Sequence, residues 1–162
     1  MVYRAHDPRW AWTPLSGEGA RRRGGRFNRL GVATMYLSFS SATAAREVSP
    51  YFRRMQPLVL CAYEVDISPV FDALDPNERA TQAVDQLEID CPTWRDEMFS
   101  GKVPASQALA DRLMTSGFAG MRVGSYALGA TEQDVNLVLW QWDSKLPRKV
   151  RLIDDENRMG LS

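Results

Sequence analysis

The sequence predicts an α+β domain with antiparallel or mixed sheets. Segments with a strand period of two are interspersed with segments of helical spacing, and the intervals between strands are irregular. The chain also lacks a strand-loop-helix unit carrying GxGxxG, so a doubly wound parallel sheet is not expected. At 162 residues it fits one domain, residues 1–162, because domains commonly run to roughly 100–150 residues.

Residues 2–5 are expected to form a short opening strand. Pro14, Gly17 and Gly19 then mark a long loop that ends in Arg21-Arg22-Arg23-Gly24-Gly25. Arg21 to Arg23 read as a solvated or partner-facing surface, while glycines beside a cation allow close backbone approach to a ligand. From Thr34 to Phe39 the chain alternates, with Thr34, Tyr36 and Ser38 on one face and Met35, Leu37 and Phe39 on the other. This predicts a strand whose more polar face presents Tyr36 and Ser38 together. Ser40 and Ser41 suit the N-cap of a helical segment through Ala42, Ala44, Ala45 and Glu47, and Pro50 forces an end or a kink after Val48.

Leu58 to Ile67 predicts a second strand, with Val59, Cys61, Tyr63, Val65 and Ile67 on one face. Asp72 to Asp90 has mixed helical spacing. A turn at Asp90-Cys91-Pro92-Thr93-Trp94 leads into a charged segment with no clear period. Ser106 is placed to cap a helix carrying Ala108, Leu109, Arg112 and Leu113, closed by Gly117. Three further strands are expected at Phe118 to Val123, Val135 to Trp142 and Lys149 to Ile153. In the middle one Val135, Leu137 and Leu139 oppose Asn136, Val138, Trp140 and Trp142, so both faces are expected to be covered.

An apolar share of 44% with 25% charged residues is ordinary for a globular protein. Lys plus Arg equals Asp plus Glu at 20 each, which gives no general pull toward nucleic acid or an anionic membrane. No apolar run approaches the roughly 20 residues that span a bilayer, and Met1-Val2-Tyr3 does not begin a signal peptide, so a cytoplasmic location is expected. Cys61 and Cys91 form neither a CxxC pair nor a disulfide framework and read as core thiols. With His6 the single histidine, a His-based metal site and a Ser-His-Asp triad are both disfavoured, and no metal is expected.

The candidate chemistry lies near the start of the chain. Arg26, Tyr36 and Glu47 place a cation, an aromatic face and a carboxylate on three successive elements. A phosphate-bearing nucleotide whose glycosidic bond is to be broken calls for all three: positive charge for phosphate, a flat surface for a base, and negative charge for an oxocarbenium-like transition state. Taken singly, Tyr36 equally suits an ordinary sheet aromatic and Glu47 a solvated helix position.

The order and spacing of these pieces resemble the RES domain, the toxin half of RES–Xre toxin–antitoxin systems. The matching pieces are Tyr3-Arg4-Ala5, Gly25-Arg26-Phe27-Asn28, Tyr36-Leu37-Ser38, Glu47, Ser106-Gln107, Gly124-Ser125 and Asn136. The resemblance implies a fold similar to ADP-ribosyltransferase toxins, with two small sheets and flanking helices around a nucleotide cleft. It implies NAD+ as the substrate, cleavage of its nicotinamide–ribose bond, and growth arrest. Arg26, Tyr36 and Glu47 are then the catalytic residues, and Arg26, Phe27, Tyr36, Ser38, Ser125 and Asn136 bind NAD+. The implied partner is an Xre-type helix-turn-helix antitoxin that covers the cleft in a hetero-oligomer, so that the chain meets DNA only through that partner.

Three points stay open on this reading. Ser125 has no nearby histidine to activate it, and suits either a hydrogen bond to NAD+ or the capping of its own turn. Asn136 suits either an orienting role or a strand-end turn. The acceptor of ADP-ribose is water, phosphate or a protein side chain. Phe27 stands where the family often has Trp or Tyr, which keeps an aromatic surface without a polar edge. Two other classes compete: a non-catalytic nucleotide-binding or protein-interaction module, and an RNA-directed toxin, which the balanced charge disfavours.

Overall fold

The computed structural model describes residues 1–48 and 57–160. The chain opens with β1 (Val2–His6), a 3-10 turn (Pro8–Trp10), α1 (Glu18–Arg23), β2 (Met35–Ser38) and α2 (Ser41–Glu47). It continues through β3 (Val59–Ile67), β4 (Val70–Asp72), α3 (Pro76–Thr81), α4 (Gln86–Asp90), α5 (Trp94–Phe99) and α6 (Ala105–Thr115). The last strands are β5 (Gly120–Gly124), β6 (Val135–Leu139) and β7 (Arg148–Leu152). All seven strands join one sheet in the order β4-β5-β6-β2-β1-β3-β7. Among the described strands β4 and β5 pair in parallel and the other pairs are antiparallel. The fold is α+β with a mixed sheet, and the small sheets expected from the resemblance are hydrogen-bonded into one.

Period-two alternation explains how β6 serves two cores at once. Val138 and, just past the strand end, Trp140 pack with Phe71, Met121, Leu109 and Leu113, whereas Leu137 and Leu139 pack with Val2, Met35, Leu37 and Tyr63 on the opposite face. Burying each such side chain contributes about 1.5–3 kcal/mol, so β6 anchors both layers. Its register against β2 pairs Tyr36 with Val138 and Ser38 with Asn136. Residues almost a hundred positions apart are thereby brought side by side.

Ser40 caps α2 as its sequence suggests, its side chain accepting from the Thr43 N–H at 3.0 Å; Pro50 lies outside the described residues. Elsewhere the local reading needs correction. Arg21 to Arg23 lie in α1, not in a loop, and Glu18 pairs with Arg21 at 2.6 Å and Arg22 at 2.7 Å along that helix. The charged segment after the Asp90 turn is α5, and β4, with only three residues, is too short to show a period. Ser106 is not the cap of α6: Pro104 holds that position and Ser106 sits inside the first turn, its hydroxyl free to reach elsewhere.

One buried histidine sets an acid limit on this core. His6 is 5% exposed and its Nε2 lies 2.8 Å from the Tyr63 hydroxyl, which donates to the Pro14 carbonyl at 2.9 Å. Burial, followed by the charge of Arg4, lowers its pKa to about 4 from 6.5. The unfolded chain therefore binds more protons than the folded chain between those values, and stability rises with pH across the window. Falling pH from about 6.5 to about 4 is expected to remove about 2–3 kcal/mol through this group. Urea denaturation at pH 7 and pH 4.5 checks it: His6→Gln flattens part of the pH slope, and an unchanged slope contradicts the assignment.

Candidate active site

The turn that carries Arg26 is held by its own Asn28, by residues of β2 and α6, and by Trp140 just past β6. Gly24 adopts a left-handed φ of 68°, and a Cβ on Gly25 would fall 2.5 Å from the Tyr36 hydroxyl and 2.6 Å from Asn28 Oδ1, so only glycine fits there. Asn28 is fully buried; its Nδ2 donates to the carbonyls of Ala20 and Arg29 at 3.0 Å and of Val32 at 3.2 Å. Tyr36 on β2 donates its hydroxyl to Asn28 Oδ1 at 2.8 Å and accepts from the Phe27 N–H at 3.1 Å. From α6, Ser106 Oγ donates to the Arg26 carbonyl at 2.7 Å and Gln107 Nε2 to the Gly25 carbonyl at 2.9 Å. Trp140 Nε1 closes the set with a 2.8 Å bond to the Phe27 carbonyl. Phe27 itself is buried at 2% exposure.

The Tyr36 hydroxyl is thus committed to the turn, and burial pushes its pKa above the ordinary tyrosine range. Tyr36→Phe leaves Asn28 Oδ1 and the Phe27 N–H without that partner and is expected to cost about 1–3 kcal/mol of stability. Activity falls only in part, because the ring remains; Tyr36→Ala is expected to lose most of it. Thermal denaturation alongside turnover checks this pair, and equal loss of activity in both would assign the function to the hydroxyl alone.

Arg26 projects from the turn into a cleft. Its Nη1 donates to the carbonyls of Asp90 and Cys91 at the end of α4, the second at 3.2 Å. Cys91 takes a left-handed φ of 27° that directs the chain around this contact. The guanidinium stacks 3.8 Å from the centroid of the Tyr126 ring and lies 5.7 Å from that of Trp94. Tyr126 is held in turn by bonds from its hydroxyl to the Ile89 carbonyl at 3.1 Å and Asp90 Oδ1 at 3.0 Å. Burial lowers the Arg26 pKa from its ordinary value. Among the described residues Arg26 has no carboxylate ion-pair partner, so its charge is available to a ligand.

Glu47 is the last residue of α2. That helix is clamped to the segment before β6 by Asp134, which accepts from Thr43 Oγ1 and Arg46 Nη1 at 2.7 Å each and from the Thr131 N–H at 2.8 Å. The hydrogen bonds from Thr43 and Thr131 hold the Asp134 carboxyl well below the usual carboxylate range. Glu47 Oε1 accepts from Ser125 Oγ at 2.6 Å and from Asn136 Nδ2 at 2.5 Å. Asn136 is oriented by Ser38, buried at 3% exposure, whose hydroxyl donates to Asn136 Oδ1 at 2.7 Å. Ser125 also accepts from the Ala127 N–H at 3.1 Å, so it caps its own turn and holds Glu47 together. Oε1 is tied down by two donors, and Oε2 has no protein hydrogen bond among the described residues.

A cleft of about 460 Å3 joins these groups, with Arg26, Tyr36, Glu47, Trp94, Tyr126 and Asn136 among its walls. An adjoining hollow of about 320 Å3 shares Tyr36, Glu47 and Asn136 and adds Tyr3, Arg4 and Ser38. Arg26, Phe27, Tyr36, Ser38, Glu47 and Asn136 therefore line these two hollows, and Ser125 touches Glu47 at their edge. Tyr126, Asp134, Trp94 and Arg95 were not foreseen. The aromatic directly after Gly124-Ser125 was a usable signal for Tyr126, whereas nothing local marks Asp134. The arrangement supplies a desolvated cation, a ring and an oriented carboxylate in one groove, which suits charge stabilisation on a phosphorylated ligand. Among the described residues no group of three or more His, Cys, Asp or Glu side chains is placed to hold a metal, and no helix is long and apolar enough to cross a membrane.

Comparison with known proteins agrees with the geometry. No curated protein matches the chain. Among solved structures, a chain in the crystal structure of the M. tuberculosis MbcT-MbcA toxin-antitoxin complex is similar, with a TM-score of 0.63 and 25% identity over 93% of this chain and 79% of that one. The family model of the RES domain matches residues 1–160, and the chain belongs to that family.

Proposed function

We propose that this chain is the toxin of a toxin–antitoxin pair and acts by breaking the nicotinamide–ribose bond of NAD+. The observation that carries the proposal is a carboxylate, Glu47, pinned through one oxygen by Ser125 and Asn136 within the cleft that also holds the stacked, unpaired Arg26. Membership of the RES family and likeness to a chain of a toxin-antitoxin complex support it.

Arg26 presents a planar fork of donors to phosphate oxygens. The Tyr36 hydroxyl is engaged by the Arg26 turn, so what it offers the cleft is its ring, against which nicotinamide stacks. Glu47 accepts a hydrogen bond from a ribose hydroxyl and stabilises positive charge on the anomeric carbon as the C–N bond lengthens. The bonding electrons move to the pyridinium nitrogen and nicotinamide leaves neutral. An oxygen of the acceptor, whether water, phosphate or a protein side chain, bonds to the anomeric carbon and loses its proton. The fixed orientation of Glu47 matters because a preorganised charge needs no rearrangement at the moment of reaction.

An Xre-type antitoxin that covers the cleft is the partner we propose, with Arg26 beneath it. Glu18 already pairs with Arg21 and Arg22, so the Arg21 to Arg23 run has less free charge to offer such a partner. The toxin reading is tested by inducing the chain in cells while following growth and total NAD+. Wild type lowers both and Glu47→Ala lowers neither; growth arrest at unchanged NAD+ would overturn the reading.

A further inference from the structure

We infer that Arg95, beside Trp94, is the second phosphate-binding cation of the cleft and gives it a preference for a ligand with a pyrophosphate over one with a single phosphate. The inference rests on the NAD+ reading above. NAD+ carries two linked phosphates, each with its own negative charge, and a low-dielectric cleft must offset both. Three arginines line the cleft: Arg26, Arg46 and Arg95. Arg46 is already neutralised by Asp134 at 2.7 Å. Arg26 has one terminal nitrogen engaged by the Asp90 and Cys91 carbonyls, so its remaining donors suit one phosphate better than two.

Arg95 is exposed and has no ion pair among the described residues. Its guanidinium lies 5.1 Å from the centroid of the Trp94 ring, and that of Arg26 lies 5.7 Å from the same ring. Both guanidinium groups therefore lie over the same indole, itself part of the cleft wall, and neither forms an ion pair among the described residues. Glu97, on the same helix, accepts from the Thr93 hydroxyl. The pair forms a two-point receptor for linked phosphates, each guanidinium steadied over the indole.

Arg95→Gln in the full chain tests it, with NAD+ as substrate and with ADP, AMP and free nicotinamide as competing ligands. The expected result is a KM for NAD+ raised about tenfold with kcat within about twofold, since an exposed charge-assisted contact far from the bond being broken acts on binding. The inhibition constant of ADP rises in parallel, those of AMP and nicotinamide stay put, and Arg95→Lys recovers part of the loss. A KM and an ADP constant both within about twofold of wild type overturn the inference, as does a parallel rise for nicotinamide, which would mean a general disturbance of the cleft. Absence of NAD+ cleavage by the wild type is a different result and overturns the underlying reading.

Discussion

Glu47→Gln is expected to reduce nicotinamide release by about 10²–10³-fold while NAD+ still binds. The replacement is chosen because the amide oxygen of Gln can still accept from Ser125 and Asn136, which hold Oε1 at 2.6 Å and 2.5 Å in the native chain. Side-chain position is kept and only the charge is removed. The lost interaction strengthens as positive charge develops on the ribose, so the change falls on kcat, with KM for NAD+ within a fewfold of wild type. Rates under saturating NAD+ and calorimetric binding of NAD+ to the variant check the two halves separately. A Glu47→Gln protein that turns over at the wild-type rate would remove Glu47 from the mechanism.

Arg26→Ala is expected to act on the other side of the ledger of rate and affinity, raising KM for NAD+ by about 100-fold or more and abolishing toxicity. Truncation removes the phosphate-facing donors, leaves the Asp90 and Cys91 carbonyls without their shared partner, and uncovers the Tyr126 ring. Stability falls by only about 1–2 kcal/mol, because the turn itself is held by Asn28, Tyr36, Ser106 and Gln107 through contacts that do not involve the guanidinium. Arg26→Lys recovers little, since an ammonium cannot reproduce the flat stack and the fork of donors together. Binding of ADP beside the melting temperature checks the case; a collapsed melting temperature with normal affinity in the surviving folded fraction would make Arg26 a structural residue.

The parts of this site that were legible in the sequence are those set by short-range periodicity. Alternation placed Tyr36 and Ser38 on one face of β2, Ser40 announced the start of α2, and the doubly apolar β6 announced its burial on both sides. The ordered pieces of the RES pattern also marked Ser106-Gln107, although as a helix cap; the structure gives them a different task, gripping the backbone of Gly25 and Arg26. What lay beyond reach depends on strand order. Ser125 meets Glu47 across 78 positions and Asn136 meets it across 89, and those meetings exist only because β6 sits between β5 and β2. Asp134 is invisible for the same reason: it acts on Thr43 and Arg46, which the sheet brings to it. The arginine run is exposed as its charge suggests, but on α1 and not in a loop, where Arg21 and Arg22 pair with Glu18.

The most direct measurement is the fate of NAD+ incubated with purified protein, with both products separated and quantified over time. The account predicts nicotinamide and an ADP-ribose product in equal amounts from the wild type, and intact, bound NAD+ with Glu47→Gln. Unchanged NAD+ after prolonged incubation with folded wild-type protein, across buffers with and without phosphate and in the presence of cell extract as a source of protein acceptors, would contradict it.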